Sequence, residues 1–125
     1  WGEANDLLLG GVSSGQAVSV NVGGVTYLRW QAPSGTTIQK IAMGYSGGGV
    51  VFVLLSNNEI YYWGSTHGVG GTLNQVPPTR LETASSVPFL AKDISSGRGP
   101  ILHCAVGLDN KVYCWGLDAL GSGSF

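Results

Sequence analysis

Charged side chains are scarce in this chain of 125 residues. Six basic and seven acidic residues make up 10% of the sequence, against roughly a quarter in an average domain. The six basic residues are scattered and form no positive patch for a nucleic-acid backbone. Hydrophobic residues make up 43%, and this fraction with so little charge excludes intrinsic disorder. We therefore expect a compact fold that binds no nucleic acid.

Long hydrophobic runs are also missing. The longest uninterrupted one, Val50–Leu55, is far shorter than the roughly 20 residues that a membrane-spanning helix needs. No long segment has apolar residues at the spacing of a helix face. The sequence therefore predicts neither a membrane span nor a long helix.

Side chains suited to catalysis or metal binding are few and scattered. His103 precedes Cys104, but adjacent strand residues point to opposite faces, which places this pair badly for a nucleophile or a metal site. The other histidine, His67, lies in a glycine-rich loop. The carboxylates form no close pair, and no Gly-Lys-Ser/Thr motif follows the glycines at 47–49 or 68–71. We predict no catalytic residue, no metal, no cofactor and no enzyme activity.

Glycine, in contrast, is abundant, with 21 positions, and takes part in an internal repeat. Two fourteen-residue stretches align without a gap: Val51–Gly64 (VFVLLSNNEIYYWG) and His103–Gly116 (HCAVGLDNKVYCWG). The repeat divides one domain, 1–125, into units of about 1–62 and 63–114 and the start of a third at 115–125. The Trp-Gly dipeptides of the repeat are Trp1-Gly2, Trp63-Gly64 and Trp115-Gly116.

The repeated stretches predict antiparallel hairpins, because β-branched and aromatic segments flank Asn/Asp turns. Their strands are Val50–Leu55 with Ile60–Trp63, and Leu102–Val106 with Val112–Trp115. Further strand candidates are Ala17–Val22, Val25–Trp30, Ile38–Met43, Thr79–Thr83 and Ala91–Ile94. The prolines fall between these candidates, where their missing N–H breaks no ladder bond.

The first repeated hairpin is apolar on both faces. Phe52, Leu54, Ile60 and Tyr62 share one face, and Val53, Leu55 and Tyr61 share the other. A sheet with one wet face alternates polar and apolar residues, whereas a sheet covered on both faces does not. We therefore predict that this hairpin lies between two neighbouring sheets, as in the stacked blades of a β-propeller.

The order of these features resembles the regulator of chromosome condensation repeat. Trp-Gly is followed by a glycine-rich turn, a proline near Val or Leu, an Ile-x-x-Gly step at Ile41–Gly44 and again at Ile94–Gly97, and a hairpin that returns to Trp-Gly. The match is best over Pro78–Gly123, fair over Ile38–Gly71 and poor over Gly11–Gln31. The stretch from His103 to Gly116 is similar to the secreted, cysteine-bearing subtype of this family.

The resemblance implies an all-β fold of two propeller-type blades plus the start of a third. Members of the family form rings of about seven blades. At equivalent positions the Trp-Gly dipeptides would be core wedges between blades. Trp30 and Tyr45 lie outside the repeated motif, which makes them candidates for a protein- or glycan-binding surface.

The two cysteines, Cys104 and Cys114, face each other across the second hairpin only in one register. A two-residue turn would set Cys104 opposite Trp115. A three-residue loop with Asn110 in the left-handed region sets the cysteines directly opposite each other, and Asn tolerates that conformation. We predict a disulfide; the alternative is two buried, reduced thiols.

The same loop in the first hairpin places Asn58 at the equivalent turn position and Phe52 opposite Tyr62. An aromatic pair would then replace the disulfide of the second hairpin. The disulfide itself indicates an oxidising, extracellular compartment.

Two units and a start cannot close a ring, so we expect apolar surface at both ends of the stack. More blades of a longer chain, or other copies of this chain, would cover that surface. The prediction is a non-catalytic, extracellular scaffold module that belongs to a larger ring or filament. One alternative is a protein- or glycan-binding propeller fragment. A small-GTPase exchange factor, the activity after which the family is named, is disfavoured by the cysteine-paired hairpin and the absence of basic tails.

Overall fold

The computed structural model describes residues 17–45, 49–67, 73–97 and 103–115, and within these ranges every regular element is a strand. The strands form three antiparallel sheets: a first of β1-β2, a second of β3-β4-β5-β6 and a third of β7-β8-β9. The prediction of an all-β fold of short antiparallel strands is confirmed. The strands are β1 (Ala17–Val22), β2 (Val25–Trp30), β3 (Ile38–Tyr45), β4 (Gly49–Leu55), β5 (Ile60–His67), β6 (Leu73–Arg80), β7 (Ala91–Ser96), β8 (His103–Gly107) and β9 (Val112–Trp115).

The sixth strand differs from its prediction. The sequence predicted a strand over Thr79–Thr83, with Pro77 and Pro78 outside it, whereas β6 contains both prolines. The two prolines lie opposite Trp63, where the pairing of β5 with β6 shifts its register. Because β6 is the edge of the second sheet, the missing N–H groups can sit at a bulge on the outer side without breaking the ladder.

The second and third sheets repeat the same ladder. Their first strands, β3 and β7, each shift register at the second residue, Gln39 and Lys92. Beyond this bulge, Ile41 and Ile94 hold the same position relative to the neighbouring strand. The pairing registers therefore show the internal repeat independently of the sequence alignment.

The turns of the two repeated hairpins are also the same. Asn58 and Asn110 have φ values of 69° and 63°, in the left-handed region. The N–H of Asn58 donates to the carbonyl of Leu55 at 2.9 Å, and the N–H of Asn110 donates to the carbonyl of Gly107 at 3.0 Å. The predicted three-residue loop, a turn followed by a left-handed Asn, is confirmed in both hairpins.

The β4–β5 hairpin is buried on both faces, as its apolar pattern predicted. We call the face of the second sheet that packs on the third sheet its front face, and the opposite one its back face. In the third sheet, the equivalent strand positions define the front and back faces. On the front, Val50, Phe52, Leu54 and Ile60 pack with Ala91, Ile94 and Ala105 of the third sheet. On the back, Val51, Val53, Leu55 and Tyr61 pack with Trp30, Ala32 and Trp63.

A short hairpin of residues 81–89 connects the second sheet to the third. Glu82 and Pro88 form a β-bridge, and the N–H of Phe89 donates to the carbonyl of Leu81 at 3.0 Å. The first sheet, β1-β2, precedes the second sheet in the chain, as this hairpin precedes the third. It is a longer version of this connection, closed by a Gly23-Gly24 turn in which both glycines have positive φ.

Candidate functional site

The two repeated hairpins carry chemically different residue pairs at equivalent positions. Cys104 and Cys114 lie directly opposite each other in β8 and β9, and their sulfur atoms are bonded at 2.11 Å. Phe52 and Tyr62 hold the equivalent positions in β4 and β5, with ring centroids 5.8 Å apart. The predicted disulfide and the predicted aromatic pair are both confirmed, because the three-residue loop sets the register of each hairpin.

His103 lies at the contact between the second and third sheets; we call such a contact a joint. Its side chain is 4% exposed, and its ring centroid is 4.6 Å from that of Phe52 and 6.0 Å from that of Trp115. Its Nδ1 forms a 2.8 Å hydrogen bond with the hydroxyl of Ser96. Burial lowers the pKa of His103 to about 4, so the imidazole is neutral at pH 7. The neighbouring Cys104 points to the front face, so the two side chains form no catalytic pair.

Strand β3 approaches β7 closely at Gly44. A Cβ atom added to Gly44 would fall on the hydroxyl of Ser96 and lie 3.3 Å from both the carbonyl oxygen of Gly97 and Cγ1 of Val50. The same Ser96 hydroxyl is bonded to His103. Glycine at position 44 therefore permits both the approach of the two sheets and the hydrogen bond that holds the buried histidine.

We expect Gly44→Ala to lower the free energy of unfolding by about 1–3 kcal/mol, because the added methyl group overfills the joint. Urea denaturation of the oxidised protein measures this loss. The same substitution in a Ser96→Ala background should cost less, because the hydroxyl that the methyl group meets is gone. Equal losses in the two backgrounds would contradict a clash at this hydroxyl.

An aromatic side chain of each connecting hairpin packs on the following sheet. The Trp30 ring lies 5.1 Å from Tyr61 and 5.6 Å from Trp63. At the next joint, Phe89 takes the role of Trp30, and Tyr113 and Trp115 take the roles of Tyr61 and Trp63. The Phe89 centroid is 5.4 Å from that of Tyr113 and 6.4 Å from that of Trp115. The two joints therefore share one three-ring arrangement.

Sequence reasoning missed this arrangement, since it placed Trp30 outside the repeat and did not consider Phe89. A signal was nevertheless present. Trp30-Gln31-Ala32 and Phe89-Leu90-Ala91 share an aromatic-x-Ala pattern. Ala32 packs in the back cluster of the second sheet, and Ala91 packs in its front cluster. Each tripeptide thus inserts an aromatic ring and a small side chain at a joint.

The remaining predicted site residues fall in different places. Trp63 is half-buried against the back cluster and Trp115 against the front cluster, while Gly64 is buried with a φ of 106°. Tyr45 is the last residue of β3, and the structure does not describe its side chain. Trp1, Gly2 and Gly116 lie outside the described residues.

Two of the described carboxylates accept hydrogen bonds from other side chains. Lys40 donates to Asp93 at 2.6 Å across the edges of the second and third sheets, and this hydrogen bond lowers the pKa of Asp93. The hydroxyl of Tyr113 donates to Asp109 at 2.5 Å, which lowers the pKa of that turn carboxylate. Across residues 17–45, 49–67, 73–97 and 103–115, no three His, Cys, Asp or Glu side chains are grouped as metal ligands.

Two faces at opposite ends of the stack remain exposed. The back face of β3 presents Ile38, Ile41 and Met43, which are 49%, 58% and 57% exposed. The front face of the third sheet presents Cys104, Val106, Val112 and Cys114, of which Val112 is 69% exposed.

Comparison with protein-family models and with curated protein sequences finds no match to this chain. In the part of the chain that the structure describes, no helix is long and apolar enough to cross a membrane.

Proposed function

We propose that this chain is a non-catalytic module of stacked β-sheets, of the propeller-blade type to which its repeats are similar, and that it serves as a scaffold in a larger ring or filament. The observation that carries the proposal is the repeated joint. Sheets with the same bulge, the same turn and the same register pack face to face, and an aromatic ring from each connecting hairpin packs on the next sheet.

In a stack of this kind, each sheet needs a neighbour to bury its apolar face. In repeat proteins, one unit cannot bury its apolar face alone, and the next unit completes the core. The second sheet has this environment, since its central hairpin is covered on both sides. The back face of β3 and the front face of the third sheet are also apolar, and no other described sheet covers them, which supports a stack that continues through further sheets.

The disulfide supports an extracellular location for the module. Disulfides persist in oxidising compartments and are rare in the cytosol. Both cysteines of the chain are used in this bond. We therefore place the scaffold outside the cell or in an equivalent oxidising compartment.

The packing of Trp30 favours a scaffold over a glycan-binding surface. A sugar-binding tryptophan offers one ring face to its ligand, whereas Trp30 is half-buried and stacks against Tyr61 and Trp63. Its counterpart Phe89 has the same role at the next joint. The ring of Trp30 is thus better suited to join two sheets than to bind a carbohydrate.

Electron microscopy of the protein isolated from its native source tests the proposal. We expect a closed ring or a continuous stack of sheets spaced by about 10 Å, the distance at which sheets pack face to face. The same images would show whether the additional sheets belong to a longer chain or to other copies. Particles in which the three sheets stand alone, with both apolar faces in water, would contradict the proposed scaffold.

A further inference from the structure

We propose that copies of this chain associate head to tail, the front face of the third sheet of one copy packing on the back face of β3 in the next. The inference rests on the proposed function and makes it specific, because it names the occupant and both contact surfaces. The two surfaces are those already defined: Cys104, Val106, Val112 and Cys114 on the front face, and Ile38, Ile41 and Met43 on the back face.

Equivalent positions of β3 and β7 differ in burial. The registers of β3 and β7 make Ile38 equivalent to Ala91 and Ile41 equivalent to Ile94. In β7 these positions are buried by the second sheet, with exposures of 0% and 3%. In β3 they are about half exposed. The back face of β3 is thus equivalent to the back face of β7, and among the described residues no sheet covers it.

The front face of the second sheet shows which kind of surface fits this face. The back face of β7 is covered by the front face of the second sheet, through residues that include Phe52, Leu54 and Ile60. In the third sheet, the positions equivalent to these three residues are Cys104, Val106 and Val112. This front face is apolar, with Val112 and Cys114 exposed and Cys104 and Val106 half-buried, so a second copy carries the surface that the repeat geometry requires.

Charged side chains at the sheet edges agree with the same contact. Lys40 and Asp93 hold equivalent positions in successive sheets and form an ion pair across the joint. Head-to-tail stacking places Asp93 of one copy in the position next to Lys40 of the following copy, so charges alternate along this edge. The alternation of charge along this edge is therefore compatible with a head-to-tail contact.

Light scattering after size-exclusion chromatography, together with sedimentation velocity, tests this association on the oxidised chain over a range of concentrations. We expect the wild type to form oligomers. Ile41→Lys on the back face and Val112→Lys on the front face should each weaken association by about 100-fold, the effect of losing a central contact of an interface. Val87→Lys serves as the matched control, because Val87 is 55% exposed in the connecting hairpin and belongs to neither face.

Mixing the two variants gives the decisive result. Ile41→Lys keeps an intact front face and Val112→Lys keeps an intact back face, so the mixture should form a complex of two copies that grows no further. Circular dichroism and thermal unfolding of each variant establish that the single substitutions leave the sheets folded.

Two outcomes would overturn the inference in different ways. Wild-type oligomers that survive both substitutions would show that copies associate through other surfaces, and the scaffold proposal would stand. A wild type that is monomeric at every concentration would exclude association of copies, whereas the scaffold proposal is decided separately by the images of the native assembly, in which further chain can continue the stack.

Discussion

Replacing Phe52 by alanine is expected to lower the free energy of unfolding by about 3–5 kcal/mol, the usual cost of removing a buried phenylalanine. The ring is 4% exposed and lies where the second sheet meets the third. It stacks on Tyr62 within its own sheet and contacts His103 and Trp115 across the joint, the latter at 5.7 Å between centroids. The substitution therefore leaves a cavity that neither sheet can close alone. Urea denaturation of the oxidised protein measures the loss.

Two further variants separate the causes of this loss. Phe52→Leu keeps most of the volume and removes the ring contacts, so it should cost less than about 1.5 kcal/mol. Tyr113→Ala removes an aromatic ring that is 41% exposed, and we expect a loss of about 1 kcal/mol because little buried surface is given up. If Phe52→Ala cost no more than Tyr113→Ala, face-to-face packing through this ring would be excluded.

Acid is expected to destabilise the protein through His103. An ordinary histidine has a pKa of 6.5, whereas burial lowers that of His103 to about 4 in the folded protein. Between these values the unfolded chain binds a proton that the folded protein does not. The contribution of His103 to the free energy of unfolding is therefore fully present above pH 6.5 and is lost as the pH falls toward 4. Each pKa unit corresponds to 1.36 kcal/mol, which makes the total loss about 3 kcal/mol.

Denaturation curves between pH 7 and pH 4 for the wild type and His103→Val measure this effect. Valine is the natural replacement, because Val51 holds the equivalent position in the second sheet. The variant should be less sensitive to acid over this range, while His67 is common to both proteins and cancels in the difference. The aspartates with lowered pKa values titrate below this range. Equal pH dependence in the two proteins would show that His103 is not held neutral at the joint.

Several features of the molecule follow from the sequence alone because they depend on neighbouring residues. The Asn at the third loop position adopts a left-handed conformation, and this fixes the hairpin register within a few residues. That register then decides that Cys104 meets Cys114 and that Phe52 meets Tyr62. The continuous apolar run of β4 likewise specifies cover on both faces, since no wet sheet face tolerates it.

Only the tertiary structure decided which surfaces meet. The sequence predicted Pro77 and Pro78 outside the strands, yet they lie inside β6, because that strand is at a sheet edge. The sequence predicted Trp30 as a surface residue, yet its ring packs against Tyr61 and Trp63 of the second sheet.

Ile41 and Ile94 hold equivalent positions in β3 and β7, yet Ile41 is exposed and Ile94 is buried, because only β7 has a described sheet against its back face. Strand pattern and turn chemistry are local properties that a sequence encodes directly. Burial at a joint depends on which neighbour is present, and residues distant in the chain supply that neighbour.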